Sequence, residues 1–173
     1  MIRRAKEEEL DQIMKCIVDS RAFLKASGSS QWNGPLGYPH DYDLLNDIKM
    51  DRLFVNIRDN RVCGVCALSG CEKDYEKPYG SWQIETNNYL TIHRMAVSDE
   101  FRGKGVATEL FEFSIKYGKE NGYDSIRVDT HEKNVIMQHL ALKLGFKACG
   151  YVIYSHIAIE PKRLIYEKVL KQI

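Results

Sequence analysis

The sequence has no apolar segment that could cross a membrane. Nowhere in its 173 residues do about 18 uncharged apolar residues run together, and no apolar stretch follows the basic start MIRRAKEEEL. It also lacks an excess of either charge, since 25 basic residues face 24 acidic ones and the formal net charge is +1. Nucleic acid and anionic membranes attract concentrated positive charge. We therefore expect a cytoplasmic protein whose main partner is neither nucleic acid nor a membrane.

Signals for disulfides and metal sites are lacking as well. The five cysteines are odd in number and lie in apolar segments, which suits reduced thiols better than a disulfide framework. Cys63 and Cys66 form a C-x-x-C, but VCGVCAL has the pattern of a strand, in which residues three apart point to opposite faces and cannot bind one metal. The motif H-E-x-x-H is absent, and His131, Glu132 and His139 do not have its spacing. We expect no catalytic metal.

The composition is that of an ordinary folded protein. Apolar residues make up 44% of the chain and charged residues 28%. A chain of this length fits one domain, which would bury about 70% of its unfolded surface. We predict a single domain over residues 1–173.

Hydrophobic periodicity predicts the order of the elements. The order is a strand, two helices, three or four antiparallel strands, a helix, a strand, a helix and two strands. Two apolar runs flank Asp59 and Asn60 and predict a hairpin, while Asp41 is placed to cap a short second helix that extends to Met50. We predict an α/β fold with a mixed, largely antiparallel sheet of six or seven strands, flanked by about four helices.

Two segments in the middle of the chain connect these elements to the next strand. Residues 69–81 are polar and predict a long surface connection. From Trp82 to Val97 the chain is strand-like with an interruption at Asn87 and Asn88. The alternation in TIHRMAV leaves one face of that strand for the core and one for a cleft.

The segment RGKGVAT has the features of an anion site. It lies between a predicted strand and a predicted helix, where glycines allow a tight turn and a helix start presents unpaired N–H groups. Arg102 and Lys104 add positive charge at the same place. The sequence therefore predicts that a phosphate group binds here.

The same region resembles a known family. R-x-x-G-x-A after a strand and before an amphipathic helix, followed by a strand and then by Asn134 leading a helix into LGF, is similar to the GNAT superfamily of N-acetyltransferases. The resemblance covers residues 89–150 strongly and the remainder by element order. It implies the acyl-CoA N-acyltransferase fold and transfer of an acetyl group from acetyl-CoA, as co-substrate, to an amine.

The resemblance also implies roles for individual residues. Backbone groups of Met95, Ala96 and Val97 would contact the pantetheine arm, and an N–H there would stabilise the thioester oxygen. Asn134 would contact the pantetheine chain as well as cap its helix. The CoA pyrophosphate would lie on Arg102, Gly103, Lys104, Gly105, Val106, Ala107 and Thr108.

One position departs from the family pattern. Many members place a tyrosine four residues before the LGF glycine as general acid for the thiolate, and Ala141 stands there in this chain. A thiol with a pKa of about 8.5 can leave as thiolate, so the loss is chemically tolerable. Tyr151 and Tyr154 are the candidates to substitute.

An alkylammonium must lose a proton before it attacks, so a base should line the acceptor cleft. His93 and Glu85 are the candidates: His93 precedes Met95 by two residues, which places both on one strand face, and Glu85 lies in the strand-like segment before it. The acceptor would contact aromatic side chains of the loop between the first two helices and of the late strands. These aromatic candidates are Trp32, Tyr38, Tyr42 and Tyr151.

Other interpretations remain open at this point. A Rossmann-type dinucleotide site would use Gly103-x-Gly105 with Asp129 as the ribose-binding acid, although Thr108 replaces the third glycine. A non-catalytic acyl-CoA sensor or subunit is motivated by Ala141. The acceptor can be a small amine, an amino acid, or a protein N-terminus or lysine, and both a monomer and a homodimer are compatible with the sequence.

Overall fold

A computed structural model describes residues 1–34 and 37–172 of the chain. Its four α-helices are α1 (Leu10–Ala26), α2 (Asp41–Lys49), α3 (Val106–Glu120) and α4 (Val135–Lys143). The strands are β1 (Ile2–Arg4), β2 (Leu53–Arg58), β3 (Arg61–Ser69), β4 (Tyr79–Gly80), β5 (Tyr89–Val97), β6 (Ser125–Thr130), β7 (Lys147–Ile153) and β8 (Lys162–Val169). No described helix is both long and apolar enough to cross a membrane.

All eight strands form one sheet in the order β1-β2-β3-β5-β6-β8-β7-β4. Every neighbouring pair is antiparallel except β5 and β6, which run parallel. The predicted mixed, largely antiparallel α/β fold is therefore confirmed. The sheet has eight strands rather than six or seven because two residues of the segment 69–81 pair with β7 as the short β4.

Helices cover both faces of the sheet. α1 packs against the face of the sheet that α2 also covers. Its buried apolar residues are spaced so that they form one stripe along the helix: Ile13, Cys16, Ile17 and Leu24. α3 and α4 cover the opposite face, where Leu110 belongs to the larger core cluster. We call these the α1 face and the α3 face.

β5 and β6 separate in mid-strand, and this divergence positions the candidate site. Their parallel pairing runs from Tyr89 opposite Ser125 to Ile92 opposite Val128 and stops there. On its other side, β5 has a bulge against β3, because three steps from His93 to Ala96 oppose two steps on β3. Arg94, within the bulge, has a positive φ of 51°. A gap therefore opens between the C-terminal halves of β5 and β6.

The bulge makes one prediction wrong. His93 and Met95 do not share a face, since the imidazole lies beside Glu72 on the α1 face while Met95 packs against the core cluster under α3. The extra residue reverses the alternation of side chains beyond it. A second bulge, at Asn56 and Ile57, likewise leaves both Cys63 and Cys66 in the cluster under α3, contrary to their predicted opposite faces.

Three local predictions are also corrected. The segment from Trp82 to Asn88 is a loop, because the N–H groups of Gln83 and Ile84 donate to the carboxylate of Glu167 instead of to a strand. The connection 69–81 is not wholly on the surface, since Tyr75 is buried in it. α2 starts one residue earlier than predicted, with His40 rather than Asp41 as its N-cap, because the N–H of His40 donates to the Asp43 carboxylate at 2.8 Å.

Candidate functional site

The loop before α3 presents a row of free backbone donors. Gly103 and Gly105 have φ values of 75° and 81°, which only glycine adopts without strain, and the open space around both leaves room for a ligand. In the described chain, the following N–H groups donate to no protein atom: Gly103, Gly105, Val106, Ala107 and Thr108. Together with the dipole of α3, these groups are suited to bind an anion.

The side chains around this loop mainly fix its conformation, and few of them add free positive charge. The guanidinium of Arg102 donates to Asp99 at 2.7 Å and lies 4.0 Å from the centre of the Phe23 ring, so it is already paired. Arg58, on β2, donates to the carbonyl of Lys104 at 2.9 Å and stabilises the turn. The ammonium of Lys104 has no carboxylate within 4.0 Å among the described residues and is available to an anion.

Two polar atoms without partners among the described residues lie at the C-terminal end of β6 and at the start of α4. The hydroxyl of Thr130, at the C-terminal end of β6, is buried and bonds to nothing in the described chain. Asn134 caps α4, its side-chain oxygen accepting from the N–H of Met137 at 3.4 Å, while its amide nitrogen makes no hydrogen bond there. Val97 is less available than predicted, because its N–H donates to the Ser20 hydroxyl at 3.0 Å. Met95 and Ala96 remain on the edge of the gap.

His93 lies next to this gap on the α1 face. Its Nε2 is 3.6 Å from the carboxylate of Glu72, which is in the connection between β3 and β4. Burial lowers the pKa of His93, and the nearby negative charges of Asp129 and Glu72 oppose that shift. The imidazole is therefore neutral at neutral pH, which is the form that can accept a proton.

Two tyrosines hold Asp129, on β6, across from His93. The hydroxyls of Tyr75 and Tyr154 both donate to Oδ2 of Asp129, at 2.5 and 2.7 Å. Burial, reinforced by the Asp129 charge, raises the pKa of both phenols above the ordinary value. Tyr154 is thus held as a neutral hydrogen-bond donor to Asp129.

The loop between α1 and α2 reaches the same end of the sheet. Gln31 accepts from the N–H of His131 just beyond β6, at 3.2 Å, and the hydroxyl of Tyr38 accepts from Arg94 at 3.0 Å. Of the aromatic acceptor candidates, Tyr38 therefore borders the site. Trp32 packs against the core cluster under α1, and Tyr42 is exposed and stacks on His40.

Two further candidates lie elsewhere. Glu85 is an exposed residue of the loop that precedes β5, at the opposite end of that strand from Val97. Tyr151 lies on β7, two strands from β6, where its ring stacks on Tyr79 with centroids 4.9 Å apart. Neither is brought together with His93. No cluster of three or more metal-binding side chains occurs in residues 1–34 and 37–172.

A comparison with protein families agrees with this geometry. The family model described as "Acetyltransferase (GNAT) family" matches residues 24–146, which is well over half of the chain. The protein belongs to the GNAT acetyltransferase family. The match spans the free amides before α3, the gap between β5 and β6, and His93. It also removes the Rossmann interpretation, in which Asp129 would have bound a ribose.

Solved GNAT structures share the whole fold. A GNAT-family acetyltransferase from Streptococcus agalactiae 2603 is 37% identical, with a TM-score of 0.88 over 99% of this chain and 96% of that one. A "putative acetyltransferase" from Staphylococcus aureus Mu50 is 28% identical, with a TM-score of 0.73 and 99% coverage of both chains. The GNAT fold therefore extends over the described chain, including α1 and β8.

Curated GNAT relatives match over shorter regions. The "Uncharacterized N-acetyltransferase YesJ" of Bacillus subtilis is 27% identical over 108 residues, covering 62% of this chain and 59% of its own. Streptothricin acetyltransferase of Escherichia coli is 34% identical over 70 residues, covering 40% of each chain. The aligned regions thus span less than two thirds of these relatives.

Glu72 is the site residue of this GNAT protein that sequence reasoning missed. It stands in a polar stretch without periodicity, 21 positions before His93, and nothing in that stretch marks it as different from a solvated loop residue. Its nearness to His93 depends on Tyr89, whose hydroxyl bonds the Glu72 backbone. The sequence drew attention to Asp129 only as the ribose-binding acid of the Rossmann interpretation, because of its spacing from Gly103 and Gly105.

Proposed function

We propose that this protein transfers the acetyl group of acetyl-CoA to an amine, with the loop from Arg102 to Thr108 holding the CoA pyrophosphate. The observation that carries the proposal is the set of unpaired N–H groups on Gly103, Gly105 and the first turn of α3. A pyrophosphate carries enough oxygens and charge to satisfy several of these donors at once. Lys104 adds a cation beside them.

The pantetheine arm fits the gap between β5 and β6. Beyond Ile92, β5 has no strand partner on its β6 side, so Met95 borders the gap there. At the end of β6 and beyond it, the hydroxyl of Thr130 and the amide nitrogen of Asn134 have no partner in the described chain. Buried polar atoms without partners are costly, so a ligand that bonds them gains affinity. An N–H of β5 at the bulge would stabilise negative charge on the thioester oxygen.

His93 is the group that we propose accepts the proton of the acceptor amine. Acetyl-CoA supplies an activated acyl group with a thiol as leaving group, and this thiol needs little protonation. Ala141 at the usual tyrosine position is compatible with departure as thiolate. Tyr154 is bonded to Asp129 and Tyr151 stacks on Tyr79, so we assign proton donation to neither.

The acceptor class remains broad. One relative is named for acetylation of streptothricin and another for synthesis of N-acetylaspartate, and the second name supports a nitrogen acceptor. Tyr38 and Arg94 border the acceptor side of the site. A small amine, an amino acid, and a protein N-terminus or lysine are the acceptors to screen.

Thermal denaturation with acetyl-CoA, CoA or NAD tests the binding site. At about 100 times Kd, a ligand that binds only the folded protein adds about 2.7 kcal/mol, which raises Tm by about 5 to 10 °C in a domain of this size. We expect both CoA species to raise Tm and NAD to leave it unchanged. No shift with either CoA species would contradict the proposal.

Gly105→Glu places a carboxylate at the proposed pyrophosphate position and is expected to abolish the shift. Its matched control is Gly122→Glu at the other end of α3, because Gly122 has a similar φ of 74° and also faces open space. Both variants carry the same backbone strain, so a loss of CoA binding in the first alone reports on the site. Equal CoA binding by the two folded variants would refute the placement.

A further inference from the structure

Tyr89 fixes Glu72 relative to β5. The N–H of Glu72 donates to the Tyr89 hydroxyl at 2.9 Å, and the same hydroxyl donates to the Glu72 carbonyl at 3.3 Å. Tyr89 lies four residues before His93 on β5, ahead of the bulge, so their side chains share the α1 face. The glutamate belongs to a connecting segment, yet its backbone is clamped to the strand that holds the proposed proton acceptor.

The Glu72 side chain points at one nitrogen of His93. One carboxylate oxygen accepts from the N–H of Asp74 at 3.3 Å, and the other lies 3.6 Å from Nε2 of His93. This arrangement favours the tautomer with the proton on Nε2, where it faces the carboxylate. Neither ring nitrogen makes a hydrogen bond in the described chain, and Nδ1, which is turned away from the Glu72 carboxylate, is the nitrogen left to accept a proton.

A second carboxylate acts on the same imidazole from β6. Asp129 is held by the hydroxyls of Tyr75 and Tyr154, which are neutral donors and leave its negative charge in place. Charges also reach His93 from its own strand and from α2, where Arg94 lowers the imidazole pKa and Asp47 raises it. Arg94 and Asp47 form an ion pair with each other, so the carboxylates of Glu72 and Asp129 are the remaining negative charges beside His93.

We propose that Glu72 and Asp129 are positioning residues that act through His93: Glu72 orients the ring with Nδ1 toward the acceptor, and both carboxylates stabilise the imidazolium. This inference rests on the proposed acetyl transfer. In that reaction the amine nitrogen bonds to the acetyl carbon, the carbon–sulfur bond breaks, and sulfur leaves with the bonding electrons. The proton lost by the amine moves to Nδ1 of His93. His93 later releases this proton to solvent, and the thiolate takes up one proton from solvent, so the protons balance.

The test combines an imidazole NMR titration of the free protein with a pH profile of turnover. His93→Gln assigns the His93 resonances among the five histidines. We expect the Nε2–H tautomer in the wild type, and a fall in the His93 pKa in both Glu72→Gln and Asp129→Asn. Glu76→Gln is the matched control, because Glu76 is an exposed glutamate of the same segment. An Nδ1–H tautomer, or a His93 titration unchanged in Glu72→Gln, would overturn the role of Glu72.

Turnover supplies the second readout, with L-lysine, spermidine and an alanine-terminated peptide as probe acceptors. Glu72→Gln should lower kcat about tenfold or more and move the acidic limb of the profile to lower pH, because a less basic imidazole stays neutral to lower pH but accepts a proton less well. A rise in KM with unchanged kcat would overturn the proposal, since Glu72 would then bind the acceptor. Failure of the wild type with every probe would count against the proposed function, while the NMR result would still decide whether Glu72 positions His93.

Discussion

Nε of Arg127 lies 2.6 Å from Oε2 of Glu167, and both side chains are buried in the sheet. The guanidinium lies between the rings of Trp82 and Tyr89, about equally far from each, at 4.1 and 4.0 Å. The other oxygen of Glu167 accepts from the N–H of Gln83 at 2.6 Å. This pair therefore fastens the loop before β5 to β6 and β8.

Glu167→Gln should strongly destabilise the fold. The change leaves Arg127 as a buried charge without a carboxylate, which typically costs about 3 to 5 kcal/mol. Urea denaturation should show this loss in the free energy of unfolding. Glu120→Gln, which removes an exposed i,i+4 partner of Lys116, is the control and should match the wild type. Equal midpoints for the two variants would contradict the structural role of Glu167.

Glu9 should make stability depend on pH. Hydrogen bonds from Arg3 hold the pKa of the Glu9 carboxyl below its usual value, against the opposing effect of burial. The folded state therefore binds this proton less readily than the unfolded chain, so the stabilisation is present above the unfolded pKa and is lost as pH falls through the folded one.

Glu9→Gln is therefore expected to lower the free energy of unfolding by about 1 to 3 kcal/mol at pH 7. The difference from wild type should shrink toward zero in strong acid, where the wild-type carboxyl is protonated. Denaturation at a series of pH values measures it, with the exposed Glu8→Gln as control. A difference that stays constant across the series would show that Glu9 acts by packing and not by charge.

Arg94 should respond differently to its two smallest replacements. Its φ of 51° is in the left-handed region, where alanine costs about 1 kcal/mol more than glycine. Both variants lose the bonds to Asp47 and Tyr38 equally. Arg94→Gly should thus unfold at a higher urea concentration than Arg94→Ala. Equal stability would mean that the bulge relaxes once the ion pair is gone.

The conformation of the loop before α3 could be predicted because its signals are local. Glycine at Gly103 and Gly105 marks the positive φ angles, and the same few residues supply the start of α3. The hairpin of β2 and β3 was predicted for the same reason, with Asp59 and Asn60 both at positive φ in its turn. Local chemistry of this kind can be read without knowing the tertiary structure.

The surroundings of His93 could not be predicted because tertiary contacts create them. Arg94 has a positive φ, but no glycine or asparagine in the sequence indicates a bulge there. The alternation in TIHRMAV therefore predicted that His93 and Met95 share one face. Glu72 is held beside His93 by tertiary contacts that include the hydroxyl of Tyr89. Glu85 lies in a segment with a strand pattern, but the N–H groups of the two residues before it donate to the carboxylate of Glu167. For Glu72 and Glu85, long-range hydrogen bonds overrode the local pattern.

Mass-spectrometric detection of acetylated amine is the most direct test of the account. Purified protein is incubated with acetyl-CoA and a panel of small amines, amino acids and peptides, alongside His93→Gln and Gly105→Glu. The account predicts an acetylated amine with the wild type, loss of CoA binding and product with Gly105→Glu, and intact CoA binding with product formation lowered about a hundredfold or more with His93→Gln. Tight CoA binding by the wild type with no acetylated product across the panel would contradict it and favour a non-catalytic acyl-CoA sensor.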